Sequence, residues 1–174
     1  MKISKRMVVL IVMVILVLAL PTTALAAKKV WIARLSSDAE LHTVVGADAY
    51  GSSFYGTNIG GGSMAFGMQV NGLSGAPTGA HIHAPADTAQ TGPVILTLCG
   101  NPSPSATGAA CPFTDNGDGT FSMTLNGTIT SPLLQQWNVT PAQLFQWFDS
   151  GMAYVNVHTA LNPAGEARGQ IYPR

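Results

Sequence analysis

Short runs in which apolar and polar residues alternate, broken by glycine, asparagine and proline, make up most of this chain. Alternation with a period of two marks strands with one buried face. Val30 to Leu35 is the first such run, and "AYGSSFYGTN" is a second, ending in the glycine-rich "IGGGS". In "MAFGMQVNGL" the pattern is clear: Met64, Phe66, Met68 and Val70 share one face. "TGAHIHAP" and the nearly continuous apolar "GPVILTLC" follow as two more strands. "FTDNGDGTFSMTLNGTI" reads as a strand entry, a turn and a further strand, and "MAYVNVHTA" and "ARGQIYP" close the series. One stretch breaks the period. In "NVTPAQLFQWFDSG", Thr140 can cap a helix with Pro141 at its first position and Gln143 as the capping-box partner, and Gly151 can end it. Leu144, Phe145 and Phe148 then fall on one helical face. The pattern predicts an all-β antiparallel sandwich or barrel with one short helix near 141–149.

Composition sharpens this picture at the N-terminus. Lys2, Lys5 and Arg6 precede an uncharged run from Met7 to Leu20, Pro21 breaks it, and Ala24-Leu25-Ala26 is a small-x-small site. That order is a secretory signal peptide over residues 1–26, and its apolar run is short for a membrane span. No cysteine follows the run to carry a lipid, so no stable membrane anchor is expected after cleavage. The expectation is a secreted, periplasmic or cell-surface protein with a single β domain over 28–174. Without the leader, five basic residues (Lys28, Lys29, Arg34, Arg168, Arg174) face eight acidic ones, a net charge of −3. Such a surface has no electrostatic footprint for nucleic acid or anionic lipid. The two cysteines, Cys99 and Cys111, both follow the leader. In an oxidising compartment an even pair most simply forms a disulfide, here closing "CGNPSPSATGAAC". No C-x-x-C-like spacing supports the rival use of the two thiolates as metal ligands.

Candidate chemistry comes from strand parity. Residues two apart on a strand point the same way. His81 and His83 therefore share a face, as do Tyr154, Asn156 and His158, and again Glu166, Arg168 and Gln170. If these strands are neighbours, three histidines, a carboxylate and a guanidinium converge. Two readings stand open. The histidines, with Asn156, Glu166 and Arg168, can form a buried network that satisfies its own hydrogen bonds. Alternatively His81, His83 and His158 can hold copper or zinc, both of which suit imidazole nitrogen. Other candidates are weaker. "DNGDGT" at 115–120 lacks the full calcium-loop ladder and reads as a hairpin turn. Trp31, Trp137 and Trp147 read as packing rather than a sugar platform, and His42 as a solvated loop residue. No nucleophile elbow or phosphate loop is present.

"GLSG…GAHIHAPA…GPVILTL" followed by "YVNVHTALNPAGEARGQI" resembles the CHRD domain, named for its repeats in chordin and found in many exported microbial proteins. The typical closing pattern, YVNVHT-x-x-NP-x-GE-x-RGQ-[IL], is followed position for position over 154–171. The likeness runs from about Val30 to Ile171. The family often carries E-V-P-P after its first strand, where this chain reads "DAELHTVVG". CHRD domains are in turn distantly similar to copper/zinc superoxide dismutases. The resemblance therefore implies a Greek-key arrangement, immunoglobulin-like or superoxide-dismutase-like. It also implies copper-ligand positions for His81, His83 and His158, and an anion-guiding position for Arg168. No histidine lies between residues 84 and 157 to bridge a second metal, which argues against two-metal dismutation.

Three functions follow as expectations. The first is a non-enzymatic extracellular binding or structural module, its partner an extracellular or cell-envelope protein with no identity legible in the sequence. The second is a copper- or zinc-binding protein. The third, an oxidoreductase built on that metal, has the least in the sequence to support it.

Overall fold

The computed structural model describes residues 28–46, 48–57 and 62–174, so the expected leader lies outside the described residues. Among the described residues nine strands form one antiparallel sheet bent into a half-barrel, in the all-β class expected from the alternation. They are β1 (Val30–Ser36), β2 (Tyr50–Thr57), β3 (Ser63–Leu73), β4 (Pro77–His83), β5 (Val94–Gly100), β6 (Thr114–Asp115), β7 (Phe121–Thr130), β8 (Tyr154–Thr159) and β9 (Ala167–Pro173). Their order across the sheet is β5-β4-β8-β9-β1-β2-β3-β7-β6. The last two strands of the chain thus fill the gap between β4 and β1, which brings the two histidine-bearing segments side by side. The half-barrel's two ends approach across residues 104–107. Ala106 and Thr107 donate their backbone N–H groups to Thr97 and Leu98 of β5. A Cβ built on Gly127 of β7 would meet the Thr107 side chain at 3.4 Å.

Alternation decides which face is dry. Met64, Phe66, Met68 and Val70 of β3 are all buried, as are Met123, Leu125 and Ile129 of β7 and Trp31, Ala33 and Leu35 of β1. Each large aliphatic or aromatic side chain buried this way contributes roughly 1.5–3 kcal/mol relative to exposure. The predicted helix is present as α2 (Pro141–Asp149), with both hydrogen bonds of its Thr140–Gln143 capping box. Leu144 and Phe148 are buried beneath it, and Phe145 stacks on Trp31 with ring centroids 5.4 Å apart. Asp149 fastens the helix end by accepting from Trp31 Nε1 at 2.9 Å and from Lys29 Nζ at 2.7 Å. A second helix, α1 (Ser131–Gln136), precedes it. Its six residues, with two adjacent leucines inward, are too short to show a helical period. Among the described residues no helix is long and apolar enough to cross a membrane.

The two expected local devices are in place. Cys99 and Cys111 form a disulfide. The 115–120 segment is a hairpin turn between β6 and β7. Its Asp115 and Asp118 carboxylates accept from Gly117 and Thr120 within the turn itself, as turn closers do. The disulfide closes a loop with a sequence separation of 12. In the chain-entropy model Cys99→Ser/Cys111→Ser lowers unfolding stability by roughly 3 kcal/mol. Urea titration of both forms measures this, and a difference near zero would mean that the loop is ordered without the crosslink.

Candidate metal centre

The register of β4, β8 and β9 sets one polar row beside another. His81 pairs with Asn156, which pairs with Arg168; His83 pairs with Tyr154, which pairs with Gln170; Gly79 pairs with His158. These side chains leave the sheet on the face away from the core, while Ala80, Ile82, Val155, Val157 and Ala167 fill the inner face. Loops roof the outer face, so His81 and His83 are only 7% and 8% exposed. One nitrogen from each of His81, His83 and His158 lies within 4.8 Å of the other two.

The proton positions follow from the partners. His81 Nε2 lies 2.6 Å from the Asn101 carbonyl, His158 Nδ1 lies 3.0 Å from the Pro163 carbonyl, and His83 Nδ1 lies 2.8 Å from the Gly92 carbonyl. A carbonyl oxygen can only accept, so each of these nitrogens carries its ring's N–H. A neutral imidazole has one N–H. The remaining nitrogens, His81 Nδ1, His158 Nε2 and His83 Nε2, are therefore lone pairs. His81 Nδ1 and His158 Nε2 face each other at 2.9 Å, and Asn156 Oδ1, a further acceptor, lies 3.0 Å from His158 Nε2. His83 Nε2 is buried without a hydrogen-bond partner. Acceptors thus meet with no hydrogen to share.

Protonating a ring would supply one, but the surroundings oppose it. Burial, above all, lowers the pKa of all three histidines, and that of His158 is pushed down to about 4. The neighbouring His81 adds to the effect on His158, against the Pro163 carbonyl. On His83 the Gly92 carbonyl and the Asn156 side chain oppose burial, while His81 and Arg168 reinforce it.

A family model, the CHRD domain, matches residues 31–171. The chain belongs to the CHRD domain family. No curated protein and no solved structure matches it, so the likeness to dismutases gains nothing from comparison.

Within this CHRD domain the closing signature takes on specific duties, and they differ from those expected. Glu166 does not join Arg168 or the histidines. Its buried carboxylate accepts from the Ser74 backbone N–H, the Thr159 hydroxyl and the Asn162 amide, at 2.5, 2.5 and 3.0 Å. It knots the turn that carries the Pro163 carbonyl. Parity misplaced it because β9 begins only at Ala167, beyond Glu166. Arg168 is 1% exposed, and its Nη2 donates to the Asp87 and Gln90 carbonyls at 2.8 Å each. The anion-guiding position implied by the dismutase likeness is thus a loop clamp, turned away from solvent. Gln170 joins it by donating to the Ala86 and Gly151 carbonyls. The Cys99–Cys111 disulfide closes the loop that carries the Asn101 carbonyl. Each carbonyl that fixes a histidine sits on a loop with its own lock.

The carboxylate that does approach the cluster is Glu40. Its side chain is 4% exposed, and Oε1 has no hydrogen bond. A Cβ on Gly165 would meet both Glu40 Oε1 and the Asn156 amide nitrogen, so these two groups flank the same backbone. Burial raises the Glu40 pKa, against the His42 and Arg168 charges and the Asn156 amide. His42, expected as a solvated residue, is exposed but tethered: its Nε2 donates to the Gly165 carbonyl at 3.0 Å. Both lie in "DAELHT", where the chain departs from the family's usual E-V-P-P. No strand period runs through that loop to reveal them.

Because the three folded-state histidine pKa values lie below the ordinary value of about 6.5, the unfolded chain takes up these protons first as pH falls. Metal-free protein therefore keeps this stability above pH of about 6.5. It loses stability as pH falls through the window down to the His158 value of about 4. Urea midpoints across that window measure the decline. His158→Gln should flatten it, and a wild-type midpoint that stays constant would contradict the assigned burial effect.

Proposed function

We propose that this CHRD domain is an exported, non-enzymatic module that binds one copper or zinc ion through His81, His83 and His158. The observation that carries the reading is the set of converging acceptors. A self-satisfied structural network needs a donor for each acceptor, and the three rings have spent their N–H groups on carbonyls. A cation is the partner such a set calls for. Backbone carbonyls that hold the outer N–H of each ring are the usual support of metal-bound histidine, since they fix its tautomer and orientation. Spacing fits as well. Metal–nitrogen bonds of 2.0–2.1 Å in a tetrahedron put donors about 3.3 Å apart. The His81–His158 separation of 2.9 Å is near that value, and all three ligand nitrogens lie within 4.8 Å of one another. Imidazole donors suit both metals, with copper(II) bound more tightly by the general order of divalent affinities.

The disulfide supports an oxidising compartment, and the apolar leader sequence supports export. Net charge of the chain after that leader is −3, which favours an approaching cation only weakly. Selectivity then rests on the donor set.

Protein purified without a histidine tag should take up one equivalent of copper or zinc in a chelator competition. His81→Ala/His83→Ala should abolish uptake while the fold, followed by circular dichroism, persists. Absence of uptake at micromolar metal by folded wild-type protein would return the histidines to a structural role.

A further inference from the structure

Arg168 presents a problem that metal binding alone does not solve. It is a fully buried cation with no ion pair to a carboxylate among the described residues, and burying a charge in this way is costly. Its surroundings show what it holds. Nη2 bridges the Asp87 and Gln90 carbonyls, and the guanidinium carbon lies 3.6 Å from the Tyr154 ring centroid. Tyr154 stacks in turn on His83, with centroids 4.7 Å apart and planes within 5°. Since β8 lies between β4 and β9, His83 meets that ring from the β4 side and Arg168 from the β9 side. The same loop reaches His83 a second way. Two residues beyond Gln90, the Gly92 carbonyl takes the His83 Nδ1–H, and the Gly92 N–H points to the Tyr154 hydroxyl at 3.4 Å. Arg168 therefore grips His83 through its ring plane and through the carbonyl that sets its tautomer, without touching it.

We propose that Arg168 is a positioning residue of the metal centre, acting through Tyr154 and the Gly92 carbonyl to keep His83 Nε2 unprotonated and aimed at the ion. This rests on the metal-binding reading above. Lysine cannot replace it: an ammonium is a point donor and does not lie flat on a ring as a guanidinium does. With the clamp gone, the 87–92 segment loosens. The His83 ring then exchanges tautomers, and in one of them Nε2 carries a hydrogen and is lost as a ligand. His81 and His158 keep their own carbonyls and their own locks, so the damage is confined to one of three ligands.

A double-mutant cycle tests this, with zinc affinity read by competition with a chromophoric chelator and the cobalt(II) absorption spectrum as a second readout. Arg168→Lys is expected to weaken zinc binding about tenfold, the scale of outer-shell losses in metal sites. It should also change the cobalt spectrum. In a His83→Ala background, already weakened, Arg168→Lys should change neither. Equal losses in both backgrounds, or no loss in either, would overturn the proposal while leaving the metal reading intact. Failure of wild-type protein to bind either zinc or copper would sink the metal reading itself. If Arg168→Lys does not fold, Gln170→Ala decides in the same cycle. Gln170 is only half-buried and holds the same loop at Ala86. Its smaller loss should likewise vanish without His83, and a loss that persists would overturn the proposal.

Discussion

A carbonyl oxygen has no hydrogen to give, and this simple constraint governs the polar centre of the molecule. Three backbone carbonyls, at Asn101, Gly92 and Pro163, each claim the one N–H of a neutral histidine. What is left inside the cluster is acceptor density: three nitrogen lone pairs beside an amide oxygen. Burial keeps the rings from relieving this by protonation, because it lowers all three pKa values. On the proposed reading, a cation other than the proton is what meets these lone pairs. The purely structural network that composition and parity left open would need a donor between His81 Nδ1 and His158 Nε2, and the three ring N–H groups are engaged elsewhere.

The fold delivers this arrangement with an economy of elements. Register places the three rings on one outer patch of β4 and β8, and the inner residues of the same strands complete the core. The rings need no deep cavity, because loops bring the roof. Each loop is secured separately: Cys99–Cys111 for Asn101, Arg168 and Gln170 for Gly92, and Glu166 with Asn162 for Pro163. The two charged residues of the closing CHRD signature therefore serve the centre from a distance. Neither faces solvent, and neither contributes a ligand atom.

Much of this was legible from residues alone, where a short-range rule applied. The period of two gave the strands and set His81 beside His83 and Asn156 beside His158. The capping box placed α2, and the cysteine pair with an apolar leader pointed to a disulfide. What escaped the sequence depends on tertiary placement. Glu166 seemed to belong with Arg168 because parity was carried back one residue ahead of β9, where the chain is still in the turn. Glu40 and His42 arrive from an irregular loop whose reach no period describes. The roles of Asn101, Gly92 and Pro163 lie in their backbone oxygens, and a side-chain alphabet does not encode those. Closure of the half-barrel along residues 104–107 was hidden for the same reason.

The most direct test is the tautomeric state of the three rings in metal-free protein at neutral pH, read from imidazole nitrogen shifts and long-range proton–nitrogen couplings in NMR. The account predicts neutral rings throughout, with hydrogen on Nε2 of His81 and on Nδ1 of both His83 and His158. A hydrogen on His81 Nδ1 or His158 Nε2, or a charged imidazolium in the cluster, would give the facing nitrogens an ordinary hydrogen bond. That result would contradict the case for a metal.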